Sequence, residues 1–425
     1  MKIEISNGRI IDPANQLDEV QSLFIADGKI VAIGTAPAAF NADSIIDASG
    51  QIVCPGLVDL RAHLREPGEE HKGTIASETR AAARGGITTL CCPPNTHPVI
   101  DTPAVAELVQ RHADAAGFAR VFPLGALTQG LAGSAITEMH ALKTAGCVGV
   151  SNAMQPLGST LILRRAMEYA ATHSLTVFIH AEEAALANNG CVHEGAVGSR
   201  LGLPGIPIAA ETVAVAATLA LVEETGARVH FPMLSSERAL QKIARAKYDG
   251  QPVSCDVSAH HLHLTEIDLL GFNSQCHVRP PLRTQRDMEG LRKGIANGTV
   301  AAICSDHQPH EADAKLAPFG ATEAGISALE TLLPLALRVV DDGVLPMTQM
   351  IASLTDQPAT ILGVEAGTLS PGRQADICIF DPERYWTLDS NSMLSRGHNT
   401  PFLNWEMKGE VTRTLLGGKT VYECT

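Results

Sequence analysis

The sequence predicts an α/β fold: a (β/α)8 TIM-type barrel with a small β-sandwich domain formed from both termini. Three observations predict it. Apolar, β-branched runs recur through the middle of the 425-residue chain, at Ile52 to His63, Ile87 to Pro94, Arg120 to Leu127, Cys147 to Asn152, Leu175 to Glu182, Arg228 to Ser235, Val253 to His261 and Val300 to His310. Helical patterns follow most of them, and eight strand-then-helix units imply parallel pairing and a closed barrel. The two ends read differently, as short strands punctuated by Gly-containing turns.

The N-terminal end alternates at Ile3-Glu4-Ile5, carries a hairpin signal at Asn7-Gly8, resumes at Ser22 to Ala26, turns at Asp27-Gly28 and continues over Lys29 to Ile33. In the centre, Ala209 to Thr225 and Ser236 to Lys247 have helical patterns. Ser236 is a natural N-cap, because its hydroxyl can accept from a free N–H of the first turn. Towards the C-terminus, Asp376 to Phe380, Val411 to Leu416 and Lys419 to Tyr422 are strand-like, with Gly417-Gly418 between the last two. The expected organisation is a composite β-sandwich of residues 1–53 with 365–425, around a barrel of residues 54–364.

Composition narrows the function. Hydrophobic residues make up 45% and charged residues 18%, against a typical charged share of about 25%, which excludes disorder. The net charge of −14, with no block of Lys or Arg, argues against nucleic acid or an anionic membrane as partner. Met1 to Ile5 alternates like a strand and not like a secretory signal. The longest apolar stretches, such as Val213 to Val222, are too short to span a bilayer. Cys92, Cys255, Cys304 and Cys378 sit inside strand-like runs, where Cys acts as a small hydrophobe. Cys91-Cys92 is adjacent and not a C-x-x-C pair. A soluble cytoplasmic protein is expected.

In such a barrel, reactive groups lie at the C-terminal ends of the strands. Those ends read Asp59 to Gly68, Pro93 to Thr96, Val150 to Met154, Ile179 to Glu182, His230 to Ser236 and Ser305 to His310. Alone, His63 and His180 read as ordinary barrel-end histidines, Asp306 as a carboxylate paired with a cation, and Arg65 and Asn95 as loop braces. His261 and His263 would share one face of a strand, a spacing that could hold metal. No carboxylate lies nearby in sequence to join them.

The segment from Pro55-Gly56-Leu57-Val58-Asp59 to Gly68 resembles the opening signature of the dihydroorotases of the amidohydrolase superfamily. Pro94-Asn95-Thr96, Pro280-Pro281-Leu282-Arg283, Asp306-His307-Gln308-Pro309-His310 and the stretch from His398-Asn399-Thr400-Pro401-Phe402 to Gly418 resemble further blocks of that family. The resemblance covers essentially the whole chain and implies chemistry on a cyclic amide with bound zinc, which lowers the pKa of water and polarises the carbonyl.

The resemblance also implies where ligands should stand. On strand one the first position is Arg61 and the second is His63, which matches. The bridging place on strand four falls at Asn152 or Ala153. His180 on strand five and Asp306 on strand eight match, and the strand-six place is Met233. Guanidinium carries a permanent charge and no lone pair, and a thioether suits softer metals. A catalytic zinc takes three protein ligands plus water, so no zinc and no catalytic residue are expected. Arg61 should stand in for the lost metal and contact Asp306 or a close neighbour, since a buried unpaired carboxylate is costly.

Arg65 and Asn95 match family residues that hold the substrate carboxylate. Arg279 stands where the family usually has Asn, leaving Arg65, Asn95 and Arg279 as a residual anion-binding set. The expected role is a catalytically inactive dihydroorotase homologue in pyrimidine biosynthesis. It would be a structural subunit for the aspartate transcarbamoylase catalytic chain, in a hetero-oligomer. The competing readings are an active amidohydrolase with a rebuilt one-metal or metal-free site, and a small-anion sensor.

Overall fold

The computed structural model describes residues 1–424. The N-terminal end supplies β1 (Lys2–Asp12), β2 (Leu17–Ala26), β3 (Lys29–Ile33), β4 (Ser44–Asp47) and β5 (Ile52–Pro55). Asn7-Gly8 is not the hairpin turn its composition suggests. Asn7 takes φ 61° and the pairing of β1 with β2 slips between Ile5 and Gly8. The dipeptide is thus a bulge inside one long strand, and the reversal comes at Pro13 to Gln16, where Gln16 is left-handed. Asp27-Gly28 does turn the chain, with φ 51° and 79°, the signs a type I′ hairpin needs.

The run Ile52 to His63 is not one strand. β5 pairs with β1 and, antiparallel, with a C-terminal strand, whereas the barrel begins at β6 (Leu57–Asp59). Gly56 is the switch. Its N–H bonds Asp376 O at 2.9 Å, and the next N–H, of Leu57, bonds Gly86 O at 3.0 Å. A Cβ at residue 56 would lie 2.1 Å from Thr88 Oγ1, so only glycine fits this crossing.

The barrel continues with β7 (Ile87–Cys92), β8 (Arg120–Ala126), β9 (Gly149–Ser151) and β10 (Thr176–Phe178). A short ribbon, β11 (Val192–His193) and β12 (Gly205–Ile206), precedes β13 (Val229–Phe231), β14 (Val253–Ser258) and β15 (Ala302–Cys304). The eight barrel strands follow one another in sequence order, and every neighbouring pair is parallel. Backbone bonds from His63 N to His307 O (2.8 Å) and from His307 N to Arg61 O (3.2 Å) join strand one to strand eight. Val58, Leu60, Cys91, Leu124, Phe178 and Cys304 belong to a buried cluster that strands from round the barrel share.

Around the strands run α1 (Ile75–Arg84), α2 (Pro103–Ala116), α3 (Met139–Thr144), α4 (Thr160–Thr172), α5 (Ala184–Ala187), α6 (Ala196–Leu201), α7 (Ile208–Thr225), α8 (Glu237–Tyr248), α9 (Gln285–Ala296), α10 (Leu332–Asp341), α11 (Met347–Leu354) and α12 (Asp356–Leu362). Ser236 caps α8, accepting from Ala239 N at 3.2 Å. β14 ends at Ser258, and Ala259–Leu262 winds into a 3-10 turn. His261 and His263 therefore do not alternate along a strand. His261 Nδ1 meets Ser258 Oγ at 2.6 Å and His263 Nε2 meets Leu335 O at 2.8 Å, so both are tied into the core.

The C-terminal strands β16 (Ile377–Thr387), β17 (Glu406–Leu416) and β18 (Lys419–Glu423) join β5 and β1 in a single sheet. The stretch 388–404 leaves that sheet and packs on the barrel, so the span 365–425 is not wholly sandwich. The buried Glu78 of α1 accepts from Ser395 Oγ at 2.6 Å and Arg396 N at 3.1 Å, and Asn399 Nδ2 donates to Gln308 O at 3.0 Å. All ten cysteines are free, and all but Cys191 and Cys424 are buried. Among the described residues no helix is long and apolar enough to cross a membrane.

Candidate functional site

The barrel mouth brings together the residues that the sequence places at the strand ends. Arg61 and Asp306 are 4% and 1% exposed. Arg61 Nε donates to Asp306 Oδ1 at 2.9 Å, and Gln308 Nε2 donates to the same oxygen at 3.0 Å. Arg61 Nη2 lies 3.2 Å from His63 Nε2. A guanidinium can only donate, so Nε2 must be the acceptor and the proton sits on Nδ1. Burial, then the Arg61 and Arg65 charges, hold His63 well below the usual histidine range, which agrees with a neutral ring. Burial also raises the Asp306 carboxyl to about 6, against the pull of Arg61.

The remaining ligand places are farther from metal chemistry. Asn152 Oδ1 accepts from His180 N at 3.0 Å, and its Nδ2 donates to Gln155 O at 3.0 Å. Ala153 presents a methyl. Met233 is 1% exposed and its backbone N–H bonds Asp256 Oδ1 at 2.7 Å. His180 is buried and neither ring nitrogen has a hydrogen-bond partner among the described residues. Its Nε2 stands 3.9 Å from Glu182 Oε2, too far for a hydrogen bond.

A zinc pair does not fit these residues. The His63 lone pair is taken by Arg61, and that cationic side chain stands between His63 and Asp306. Nothing bridges at residues 152 and 153, and strand six offers only a thioether. Among the described residues no group of three or more His, Cys, Asp or Glu is placed to hold a metal ion. The backbone nonetheless keeps left-handed conformations at Ala153 (φ 46°), Met233 (φ 54°) and Asp306 (φ 48°), which cost non-glycine residues about 1 kcal/mol or more each.

The anion set is largely occupied by the protein itself. Arg65 Nη1 donates to Glu69 at 2.9 Å and Nε to Pro309 O at 3.0 Å, while Nη2 faces His310 Nε2 at 3.0 Å. Arg279 pairs with Glu182, its Nε at 3.1 Å and its Nη2 closer still. Burial raises Glu182, and its neighbours His180 and Arg279 outweigh that and lower it. Asn95 Oδ1 alone is left unpartnered. Residues 65, 95 and 279 therefore do not form one open cationic cradle.

Sequence reasoning assigned no role to Gln308, His310, Asp256 or Glu182. Gln308 and His310 stood in the quoted strand-eight block, so their place at the mouth was in view. Asp256 had no local signal. It holds His230 Nε2 at 2.8 Å as well as the Met233 N–H, a junction of strands six and seven that only the closed barrel creates.

Comparison with known proteins finds the same architecture in hydantoinases. The L-hydantoinase of Arthrobacter aurescens superposes with TM-score 0.89 at 24% identity, over 99% of this chain and 96% of that one. A D-hydantoinase superposes with TM-score 0.84 at 25% identity, over 100% and 95%. A family model described as Dihydro-orotase-like matches residues 50–239. A "Dihydroorotase-like protein" of Pseudomonas aeruginosa is 51% identical over the full length of both chains, and one of Pseudomonas putida is 50% identical over 98% of both. A protein named "Dihydroorotase" from Syntrophotalea carbinolica is 43% identical over 99% of both. The fold and site thus define a member of the amidohydrolase superfamily. Within it, the chain belongs to the dihydroorotase-like family.

Proposed function

We propose that this chain is a non-catalytic dihydroorotase homologue that serves pyrimidine biosynthesis in the cytoplasm. In this reading it is a structural subunit for the assembly or stability of aspartate transcarbamoylase. One observation carries the loss of catalysis: the Arg61 guanidinium sits between Asp306 and His63, bonded to both. A permanent cation there repels a dication, and the ring nitrogen that would bind metal is already accepting a proton.

The names of the relatives run in the same direction. Those near 50% identity are called dihydroorotase-like, whereas the relative at 43% is called a dihydroorotase. A barrel kept whole with its metal chemistry removed is suited to use as a surface, and the transferase catalytic chain is the partner that the family resemblance supplies. The sensor reading is weakened by the carboxylates that already hold Arg65 and Arg279.

Co-expression with the transferase catalytic chain tests the proposal. The two should elute together on size exclusion, transferase activity or stability should fall when this chain is left out, and the complex should not hydrolyse dihydroorotate. Separate elution with transferase activity and stability unchanged would overturn the structural role. Zinc-dependent turnover with about two zinc ions per chain would overturn the loss of catalysis.

A further inference from the structure

A pocket of about 240 Å³ opens between three segments that are far apart in sequence. Gln275 comes from the 3-10 turn Ser274–Cys276, Glu311 and Lys315 from the loop after strand eight, and Arg396 from the returning stretch 388–404. None of the ligand places lines it, and neither do Arg65, Asn95 or Arg279. Its walls are tied to one another. Ser274 Oγ donates to Lys315 O at 2.9 Å, and Lys315 Nζ donates to Glu323 O at 2.6 Å and His277 O at 3.3 Å. His310 N donates to Asn399 Oδ1 at 2.8 Å. The space is therefore pre-formed, as ligand pockets usually are.

Polar groups without partners converge on it. Gln275 Oε1, Glu311 Oε2 and His310 Nδ1 are buried and form no hydrogen bond among the described residues, and all three residues line the pocket. His310 is only 3% exposed. Buried polar atoms are nearly always satisfied, so three orphans around one space mark a polar occupant. The charges indicate its kind. Glu311, Lys315 and Arg396 all line the pocket, and none of the three forms an ion pair among the described residues. A simple anion would meet the Glu311 carboxylate, and a simple cation would meet Lys315 and Arg396. A molecule that carries both signs answers all three. At about 30 Å³ per water-sized group, the space holds about eight non-hydrogen atoms.

We infer that this pocket binds a small α-amino acid with a short polar side chain, held as its zwitterion. The ammonium brings the donors that Glu311 Oε2 and Gln275 Oε1 lack. The carboxylate takes the Arg396 guanidinium and the buried Lys315 amine. A buried cation without a counter-ion is costly, and the bound carboxylate supplies one to Lys315. His310 Nδ1 is left for the polar side chain. The inference rests neither on the transferase reading nor on the filled site at Arg61.

Calorimetric titration of the full-length chain with L-serine should show one site per chain with a Kd below about 1 mM. Acetate and methylamine each carry one of the two charges, and neither should bind at about 10 mM. L-Alanine, which has nothing for His310, should bind at least about threefold more weakly. Glu311→Gln and Arg396→Met should each raise the Kd for L-serine at least about tenfold. Arg396 is exposed, so Arg396→Met should leave the thermal midpoint unchanged. No binding of L-serine at about 10 mM would leave the pocket to water and overturn the inference. So would acetate, methylamine or L-alanine binding as tightly as L-serine, or a Kd that neither variant changes.

Discussion

Arg61 and Asp306 stand 2.9 Å apart at the point where the barrel closes, although 245 residues separate them in sequence. Both side chains are almost fully buried, at 5% and 2% exposure. The pair places a protein cation against the carboxylate that the family resemblance implies as a metal ligand. It also engages His63, so it fills the site as well as neutralising it.

Removing one partner should expose the cost of the other. Arg61→Leu leaves Asp306 buried with only Gln308 to answer it, and urea unfolding should show a loss of about 3–5 kcal/mol. The double variant Arg61→Leu with Asp306→Leu should recover most of that loss, because replacing a buried pair by apolar residues is often nearly neutral. A loss below about 1 kcal/mol for Arg61→Leu would show that the pair does not organise the mouth.

Arg61→His alone should not restore the chemistry. The variant regains one imidazole, but neither Asn152 nor Ala153 offers an anionic bridge and Met233 offers no nitrogen. Metal analysis should find well under about one zinc per chain, and no turnover of dihydroorotate should appear. Stoichiometric zinc with measurable hydrolysis would show that these residues do accommodate the metal.

Glu78 should hold the returning chain against the barrel. His307 Nδ1 accepts from Ala328 N at 3.0 Å, so the proton on Nε2 points at Glu78 Oε2, 2.8 Å away. The same carboxylate holds Ser395 and Arg396. Glu78→Ala strands several buried donors and should cost about 3 kcal/mol or more. Limited proteolysis followed by mass spectrometry should then find new cuts within 388–404. An uncut segment at equal stability would refute this role.

Lys315 gives a pH dependence of known sign. It is 6% exposed and donates to Glu323 O at 2.6 Å and His277 O at 3.3 Å. Burial lowers it from 10.5 to about 8. Between those values the unfolded chain holds the extra proton, so stability rises with pH across the window, and the penalty is fully present below it. Relative to Lys315→Met, the wild type should gain on the order of 2–3 kcal/mol between pH 7 and pH 10.5. Parallel stability curves for the two proteins would show that the amine is not desolvated.

Much of the barrel was legible because strands in a parallel sheet are buried on both faces and read as unbroken apolar runs. That same continuity hid the break at Gly56. Ile52 to His63 looks like one strand, and only the change of partner, from Asp376 to Gly86, divides it between sandwich and barrel. Asn7-Gly8 misled for a related reason. A left-handed residue followed by glycine suits a tight turn and a bulge equally, and the strand opposite decides between them. The histidines at 261 and 263 share a face only if the strand continues, and it stops at Ser258.

The sequence by itself determined the fold class, because that depends on periodicity, and its family resemblance implied where ligands should stand, so the residue types at those places could be read directly. Arg61 cannot ligate, and neither Asn152 nor Ala153 offers an anionic bridge in any conformation. The tertiary structure alone decided what replaced that chemistry. Barrel closure brings Arg61 onto Asp306 and His63, carboxylates from distant or neighbouring loops take up Arg65 and Arg279, and three segments far apart in sequence enclose the pocket beside Lys315. Each of these is a matter of which groups meet after the chain has closed on itself. Local pattern carries no distance between residues hundreds of positions apart.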